Sequence, residues 1–437
     1  GFMKLLPSIL LLLTALLLPR VASSPCDLER PLRAFAAFLP SPPPQTSLGL
    51  FCHDARSAHP CFAADSRWKP SLPRVKGAWV GAVRRRDAMQ TALRASTHAP
   101  VDVPLEFANK QVLAVGVAAV DFVAAVSSFP NPDDKIRSNS LVVAGGGNAA
   151  NTLVALRRLG MPSSLVTHLG QDGNGEQIKD DLEREGVSTD RCVSTPGLTS
   201  PFTYIIVDES TATRTCIHTP IARDLDPAGV SPLWLDGVAL LHCDSRNTQA
   251  AIALAKIARA RLIPVVVDME KDRDGARELL ALADVILTNA RYPGLFSGHD
   301  DLVTGMRAVL KHGVAHTVVS TIGEEGSVLL SRGPAPNGLW SCPDLPKDLL
   351  SFEALPSEGD EGAKHLIRCK AWPAESVVDT TGAGDSFIGG FLYGMVAGFP
   401  PARSLALAAR VASSQVGKRG AREGLPRREE IPAGLLS

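Results

Sequence analysis

The sequence has no excess of either charge: 45 Lys and Arg balance 45 Asp and Glu over 437 residues. Nothing in the composition therefore supports a broad basic face that binds nucleic acid through its phosphates. The short run Arg84-Arg85-Arg86 reads as a solvated stretch. Cysteines are few and scattered. None of the 8 stands in C-x-x-C spacing, which argues against a zinc site or a redox pair. Cys26, Cys52 and Cys61 come early. Cys192, Cys216, Cys243, Cys342 and Cys369 form an odd set that suits reduced thiols better than a disulfide framework. His168, His218, His242, His312 and His316 show no ligand spacing and read as structural. The apolar run from Leu5 to Leu18 is too short for a membrane-spanning helix. What remains, at 45% hydrophobic and 21% charged, is globular composition with length for one large domain or two ordinary ones.

The first hundred residues differ from the rest. Lys4, the apolar run to Leu18, and then Ala22, Ser23 and Ser24 have the layout of a secretory signal peptide. The stretch from Pro25 to Pro104 is rich in Pro, Ser, Ala and Arg without a sustained period, which suggests a disordered leader. Within it, Ser66 to Pro100 is Arg-rich and acid-poor, as an organelle transit peptide is. Residues 1–108 are accordingly set apart as a leader, either a targeting segment or an artefact of the gene model, and a folded domain is expected over 109–431.

From Val112 onward the pattern alternates. Val112 to Val117 reads as a buried strand delivering Asp121, and Asn148 to Leu159 as a helix closed by Gly160. Ser164 to His168 is a strand and Gly175 to Glu185 an exposed helix. Phe202 to Val207 and Thr213 to His218 flank Asp208-Glu209-Ser210 as a hairpin. Strand–helix pairs follow at 238–260, 263–282 and 285–312, then a strand at Thr317 to Ser320. Residues 332–364, rich in Pro, Gly and acid, read as a surface insertion. Leu366 to Trp372 is a returning strand and Ala402 to Val416 a last helix. Such alternation predicts an α/β fold with a mostly parallel central sheet covered by helices on both faces, and ligands at the carboxyl ends of its strands. Asp121, Asp244, Asp268, Thr321 and Asp385 all follow strand-like runs and are site candidates on that ground.

The chain is organised around Asp379-Thr380-Thr381-Gly382-Ala383-Gly384-Asp385. An apolar approach through Val377-Val378 ends in a turn of small residues, and a helix pattern begins near Gly384. Gly382, Ala383 and Gly384 leave backbone N–H groups bare at a helix N-terminus, where partial positive charge can hold a phosphoryl group. Asp385 lies in the first turn, aimed at the same place. A carboxylate beside an anion hole suits a base that takes a proton from a hydroxyl while the N–H groups stabilise the moving phosphoryl group. Simple capping by Asp385 is the bland alternative. Upstream, Gly145-Gly146-Gly147-Asn148 brings backbone close to a ligand, with Asn148 and Asn151 able to donate to and accept from hydroxyls. Alone, it would be a turn before a helix.

Together these two stretches resemble the two signatures of the ribokinase-like (pfkB) carbohydrate kinases, over about 112–430. The resemblance implies a ribokinase-like three-layer sandwich with a small β lid over the sugar, built from the hairpin and the strand near Leu141. It implies ATP and magnesium as cofactors. Asp385, Gly382, Ala383 and Gly384 would be catalytic. Gly146, Gly147, Asn148 and Asn151 would hold the sugar, with Asp121 taking two hydroxyls. Thr321, Gly323 and Gly326, in a T-x-G-x-x-G pattern, would contact ATP with Arg246 and Gly417; Arg246 could equally be a solvated helix-start residue. Asp379 and Thr381 match positions that bind a monovalent cation in some relatives, so potassium is admissible. One departure is plain. The family's N-x-x-E magnesium motif has Tyr292 where the Glu belongs, after Asn289. Glu270 is then the candidate to place a carboxylate near the metal.

Asp121 with Val126 to Pro130, Gly146 to Asn151, Ser245-Arg246-Asn247 and Glu270-Lys271 are closer to ketohexokinase than to ribokinase, whose Lys is replaced by Asn148. The expectation is an ATP-dependent kinase of a small sugar of ketose, fructose or ribose type. It would be cytoplasmic or in a plastid or other organelle, with no nucleic acid or membrane partner for the mature domain, and a homodimer through the lid is compatible with it. A nucleoside kinase is the alternative enzyme, a catalytically silent kinase-fold scaffold the alternative of another class. A secreted binding protein would rest on Leu5 to Leu18 alone.

Overall fold

The computed structural model describes residues 104–211, 213–333, 343–355 and 362–436. The leader, all but its last five residues, and parts of the 332–364 stretch lie outside them. The fold is set by strands that are apolar on both sides. Along β1 (Gln111–Val115), Val112 and Ala114 enter one core, while Leu113 and Val115 enter a second on the opposite face. Such a strand is stable only between two covering layers. β9 (Val238–Cys243), β10 (Val265–Met269) and β12 (Thr317–Thr321) divide their residues in the same way. On one side they pack against helices α1 (Asn148–Arg158), α7 (Ala383–Ala397) and α8 (Pro401–Gln415), through Leu153, Leu156, Phe391 and Leu405. On the other they pack against α3 (Thr248–Ala260), α4 (Ala276–Leu282) and α6 (Leu302–Lys311), through Leu254, Leu279 and Met306.

The main sheet has nine strands in the order β14-β15-β13-β12-β11-β10-β9-β1-β4, with β4 at Ser163–Val166 and β11 at Val285–Asn289. The six strands from β12 to β4 run parallel. β13 (Ser327–Ser331), β14 (Leu350–Ala354) and β15 (His365–Cys369) are antiparallel at one edge. β14 lies inside the stretch read as a loop insertion. Its mostly exposed residues suit an edge strand, and its flanks conceal it in the sequence. A second sheet of four strands, in the order β3-β2-β7-β8, forms the lid. It comprises β2 (Ala119–Val126), β3 (Ser140–Gly146) and the hairpin β7 (Phe202–Asp208) to β8 (Thr213–Thr219). A short pair, β5 (His168–Gly170) and β6 (Val193–Thr195), stands apart, and α2 (Gly173–Arg184) follows β5.

Two strand-end expectations are corrected. β1 stops at Val115, and Asp121 sits within β2 of the lid. The run from Val112 to Val120 looks continuous, but it turns at Gly116, whose backbone lies against the Asp244 carboxylate. Val377 and Val378 form no strand either. They are 68% and 53% exposed and line a cavity wall.

Candidate active site

The parallel strands end together beneath the N-terminus of α7. Asp268 on β10, Asn289 on β11 and Thr321 on β12 meet Glu270, Gly384 and Asp385 around a small cavity of about 80 Å³. Gly382 makes the turn into α7 with φ of 73°, a conformation that costs glycine nothing. A Cβ there would also fall 2.5 Å from the Ala421 carbonyl oxygen. The Ser386 N–H and hydroxyl both return to the Gly382 carbonyl, at 2.8 and 2.6 Å. The Ala383 N–H donates to the Thr380 carbonyl at 3.3 Å, so it is less free than the sequence suggested. Among the described residues, Gly384 and Asp385 carry the bare N–H groups of this turn.

Asp385 Oδ2 accepts a hydrogen bond from Asn151 Nδ2 at 2.8 Å. Burial of the carboxyl pushes its pKa up to about 7. Asn151 opposes that rise, Glu270 and Asp244 add to it, and Arg422 opposes it. Asp268 is driven in the same direction, first by burial and then by Glu270, Asp385 and Asp244. Asn148 works against that rise at Asp268. Asp244 proves to be a buried clamp. Its Oδ2 accepts from the N–H groups of Val117 and Ala149 at 2.8 and 3.1 Å, and Oδ1 from Arg246 at 3.0 Å. It thereby satisfies the first turn of α1, which has no side-chain cap of its own.

A larger cavity, of about 850 Å³, is lined by the lid and by the loop 377–381. Asp121 lines it beside Val123, Val142, Ala144, Ile205 and Val207 of the lid's inner face. The Asp121 pKa is raised by burial, against a hydrogen bond from Thr203 and the charge of Arg422. β2 and β3 bring Asp121 against Gly146, where a Cβ would lie 2.2 Å from Oδ2. That close approach explains a glycine in the strand. Asp379 and Thr381 line the same cavity. Asp379 Oδ1 accepts from the Thr381 N–H and hydroxyl and from Arg214 Nη1 of β8, at 2.9, 2.6 and 2.7 Å, and Oδ2 from Gly420 N–H at 2.9 Å. Burial works to raise its pKa, but these hydrogen bonds and the Arg214 charge hold it below the ordinary value.

Other expected residues fall apart from this centre. Gly323 and Gly326 bound the turn between β12 and β13, Gly326 packing against the Cys369 carbonyl, and neither lines a cavity described above. Gly417 follows α8 and contacts Ser414. Arg246 follows β9, donates its backbone N–H to Asp244 Oδ1 at 3.0 Å, and its charge is felt by Asp244, His218 and Arg273. Tyr292, standing for the expected Glu, is wholly buried and stacks near Phe296. Asn289 caps the short helix α5 (Tyr292–Ser297), accepting from the N–H groups of Arg291 and Tyr292. Among the described residues no three His, Cys, Asp or Glu side chains gather to cage a metal ion, and no helix is long and apolar enough to cross a membrane. Arg214 and Arg422 were not foreseen. Both depend on chain segments that meet only in the fold.

The profile of the pfkB family carbohydrate kinases matches residues 109–351 and 355–428. The chain belongs to that family, a class of phosphotransferases whose acceptor is an alcohol group. It is 24% identical over 324 residues to the ketohexokinase of Mus musculus, a match covering 71% of this chain and 98% of that protein. It is 24% identical over 335 residues to the bifunctional ribokinase/ribose-5-phosphate isomerase A of Fructilactobacillus sanfranciscensis, over 74% of this chain. The match spans about half, 55%, of that longer protein. Among solved structures, the Arabidopsis thaliana ribokinase complexed with ribose and ATP superposes with a TM-score of 0.61 at 22% identity, over 74% of this chain and 98% of that one. The Burkholderia thailandensis nucleoside kinase in complex with inosine gives 0.57 at 20% identity, over 74% and 96%. The fold is thus the ribokinase-like three-layer sandwich.

Proposed function

We propose that the protein transfers the γ-phosphate of ATP to a hydroxyl of a small sugar, of ketose, fructose or ribose type, with Asp385 as the base. The observation that carries this is the pairing of Asp385 with the N–H groups of Gly384 and Asp385 at the mouth of α7. A carboxyl with a pKa near 7 is matched to taking a proton at neutral pH. The acceptor oxygen, deprotonated by Asp385, attacks the γ-phosphate in line, and the N–H groups stabilise the charge that develops. Asp121, Gly146 and Gly147 would orient the sugar; Asn151 would contribute by holding Asp385. Thr321 would meet the nucleotide. Closing the lid would exclude water, a competing acceptor.

Magnesium fits this donor set. Asp268 and Glu270 line the small cavity, so the ion would be held chiefly by ATP phosphates with these carboxyl groups at its water shell. It would supply neutralisation of the phosphate charge. A monovalent cation at Asp379 and Thr381 is not part of the proposal, because Arg214 already supplies the positive charge there.

The volume and apolar inner lid of the larger cavity favour a second reading, a nucleoside acceptor whose base lies against Val142 and Ile205. The lid's other face presents Leu141, Val143, Tyr204 and Ile217, a surface suited to a second copy of the chain. Product analysis by ³¹P NMR after incubation with ATP and fructose, ribose or nucleosides decides the acceptor. A sugar phosphate is the expected product. A nucleoside monophosphate would favour the second reading, and ATP binding without any transfer would indicate a scaffold.

A further inference from the structure

The turn after α8 sends a cation back into the acceptor side of the site. Arg422 is only 7% exposed. Its Nε donates to Asn151 Oδ1 at 2.8 Å, and its Nη2 donates to the Gly146 carbonyl at 3.1 Å. Asn151 then donates Nδ2 to Asp385 Oδ2 at 2.8 Å. An amide presents one accepting end and one donating end, whereas a guanidinium only donates. Arg422 therefore dictates which end of Asn151 it meets, and leaves the N–H end for Asp385. The reversed amide would set a carbonyl oxygen against the carboxylate. That matters here because Glu270 and Asp244 already press negative charge on Asp385, and Asn151 and Arg422 are the groups that oppose it. Arg422 is itself held in place. Arg158 Nη1 donates to the carbonyls of Arg422 and Leu425 at 2.7 and 3.0 Å. The rest of the Arg158 fork grips Glu185, at 3.0 and 2.7 Å.

We infer that Arg422 is a positioning residue for Asp385, acting through Asn151 by fixing the amide so that an N–H faces the carboxylate. The inference rests on the reading of Asp385 as the base. Its test is a double-mutant cycle on the full chain, reading kcat for acceptor-dependent ADP release and, separately, the Kd for ATP. Arg422→Met lowers kcat by about 10- to 100-fold, a part of what a general base contributes, and leaves the ATP Kd unchanged. In an Asn151→Ala background the same substitution costs nothing more, because the partner through which it acts is gone. A merely structural role would not vanish in that background. Losses that multiply in the double variant overturn the inference, and so does an Arg422→Met enzyme as fast as the parent. Should Arg422→Met fail to fold, Arg422→Lys, which keeps the charge and lacks the planar fork, carries the cycle. No loss, or a loss that persists beside Asn151→Ala, then overturns the inference. Asp385→Asn separates the two readings. An active Asp385→Asn variant refutes the base itself, whereas an inactive one with multiplicative losses in the cycle refutes only the role of Arg422.

Discussion

Asp385→Asn should cost activity and add stability. In the folded protein the Asp385 pKa is about 7, against an ordinary 3.8. Between those values the folded chain keeps a proton that the unfolded chain releases. Stability therefore falls as pH rises through that window and is lowest, with respect to this group, above about 7. The difference corresponds to about 4 kcal/mol of penalty for the ionised carboxyl, at 1.36 kcal/mol per pKa unit. Asn has the same shape, stays neutral, and keeps an oxygen to accept from Asn151 Nδ2. Urea unfolding followed by circular dichroism at pH 8 should show the variant more stable by about 2–4 kcal/mol. At pH 4.5, where the folded wild type already holds the proton, the gain should shrink below about 1 kcal/mol. A gain independent of pH, or no gain at pH 8, would refute the claim that burial and neighbouring carboxylates strain this group for catalysis.

Three further outcomes follow from the same geometry. The acid limb of kcat/KM should fall tenfold per pH unit below about 7 and be flat above it, because the ionised carboxylate is the active form; a profile flat down to pH 5 excludes Asp385 as the base. Gly146→Ala should raise the acceptor KM or abolish acceptor binding while sparing ATP affinity, since its Cβ would displace Asp121; calorimetric titration with ATP and steady-state kinetics separate the two. Exchange of potassium for sodium or choline should leave kcat unchanged, because both oxygens of Asp379 are engaged; activation by potassium would contradict that.

How far the sequence could be read depends on the distance over which each feature is determined. The limits of α1 and α8, and the start of α7, are read within one residue of where they fall, because apolar spacing and glycine or proline punctuation are local signals. Asp385 and its N–H groups were legible for the same reason, since turn and helix start lie within a few residues. Asp121 was found as a residue but misplaced. A change from main sheet to lid at Gly116 leaves no mark in an apolar run. β14 was concealed because an exposed edge strand has little apolar pattern to show. Arg422, Arg214 and the clamp at Asp244 were beyond reach, since each joins segments far apart in the chain. Asn151 shows the consequence. Its sequence suggests a sugar ligand, but both ends of its amide are engaged by Arg422 and Asp385.

The most direct test of the account is phosphoryl transfer by the full chain, compared with Asp385→Ala at saturating ATP and acceptor. ADP release dependent on one sugar or nucleoside is predicted, with kcat falling by about 10²- to 10⁴-fold in the variant and the Kd for ATP unchanged. Transfer that persists within about tenfold in Asp385→Ala, or ATP bound with no transfer to any acceptor, would contradict it.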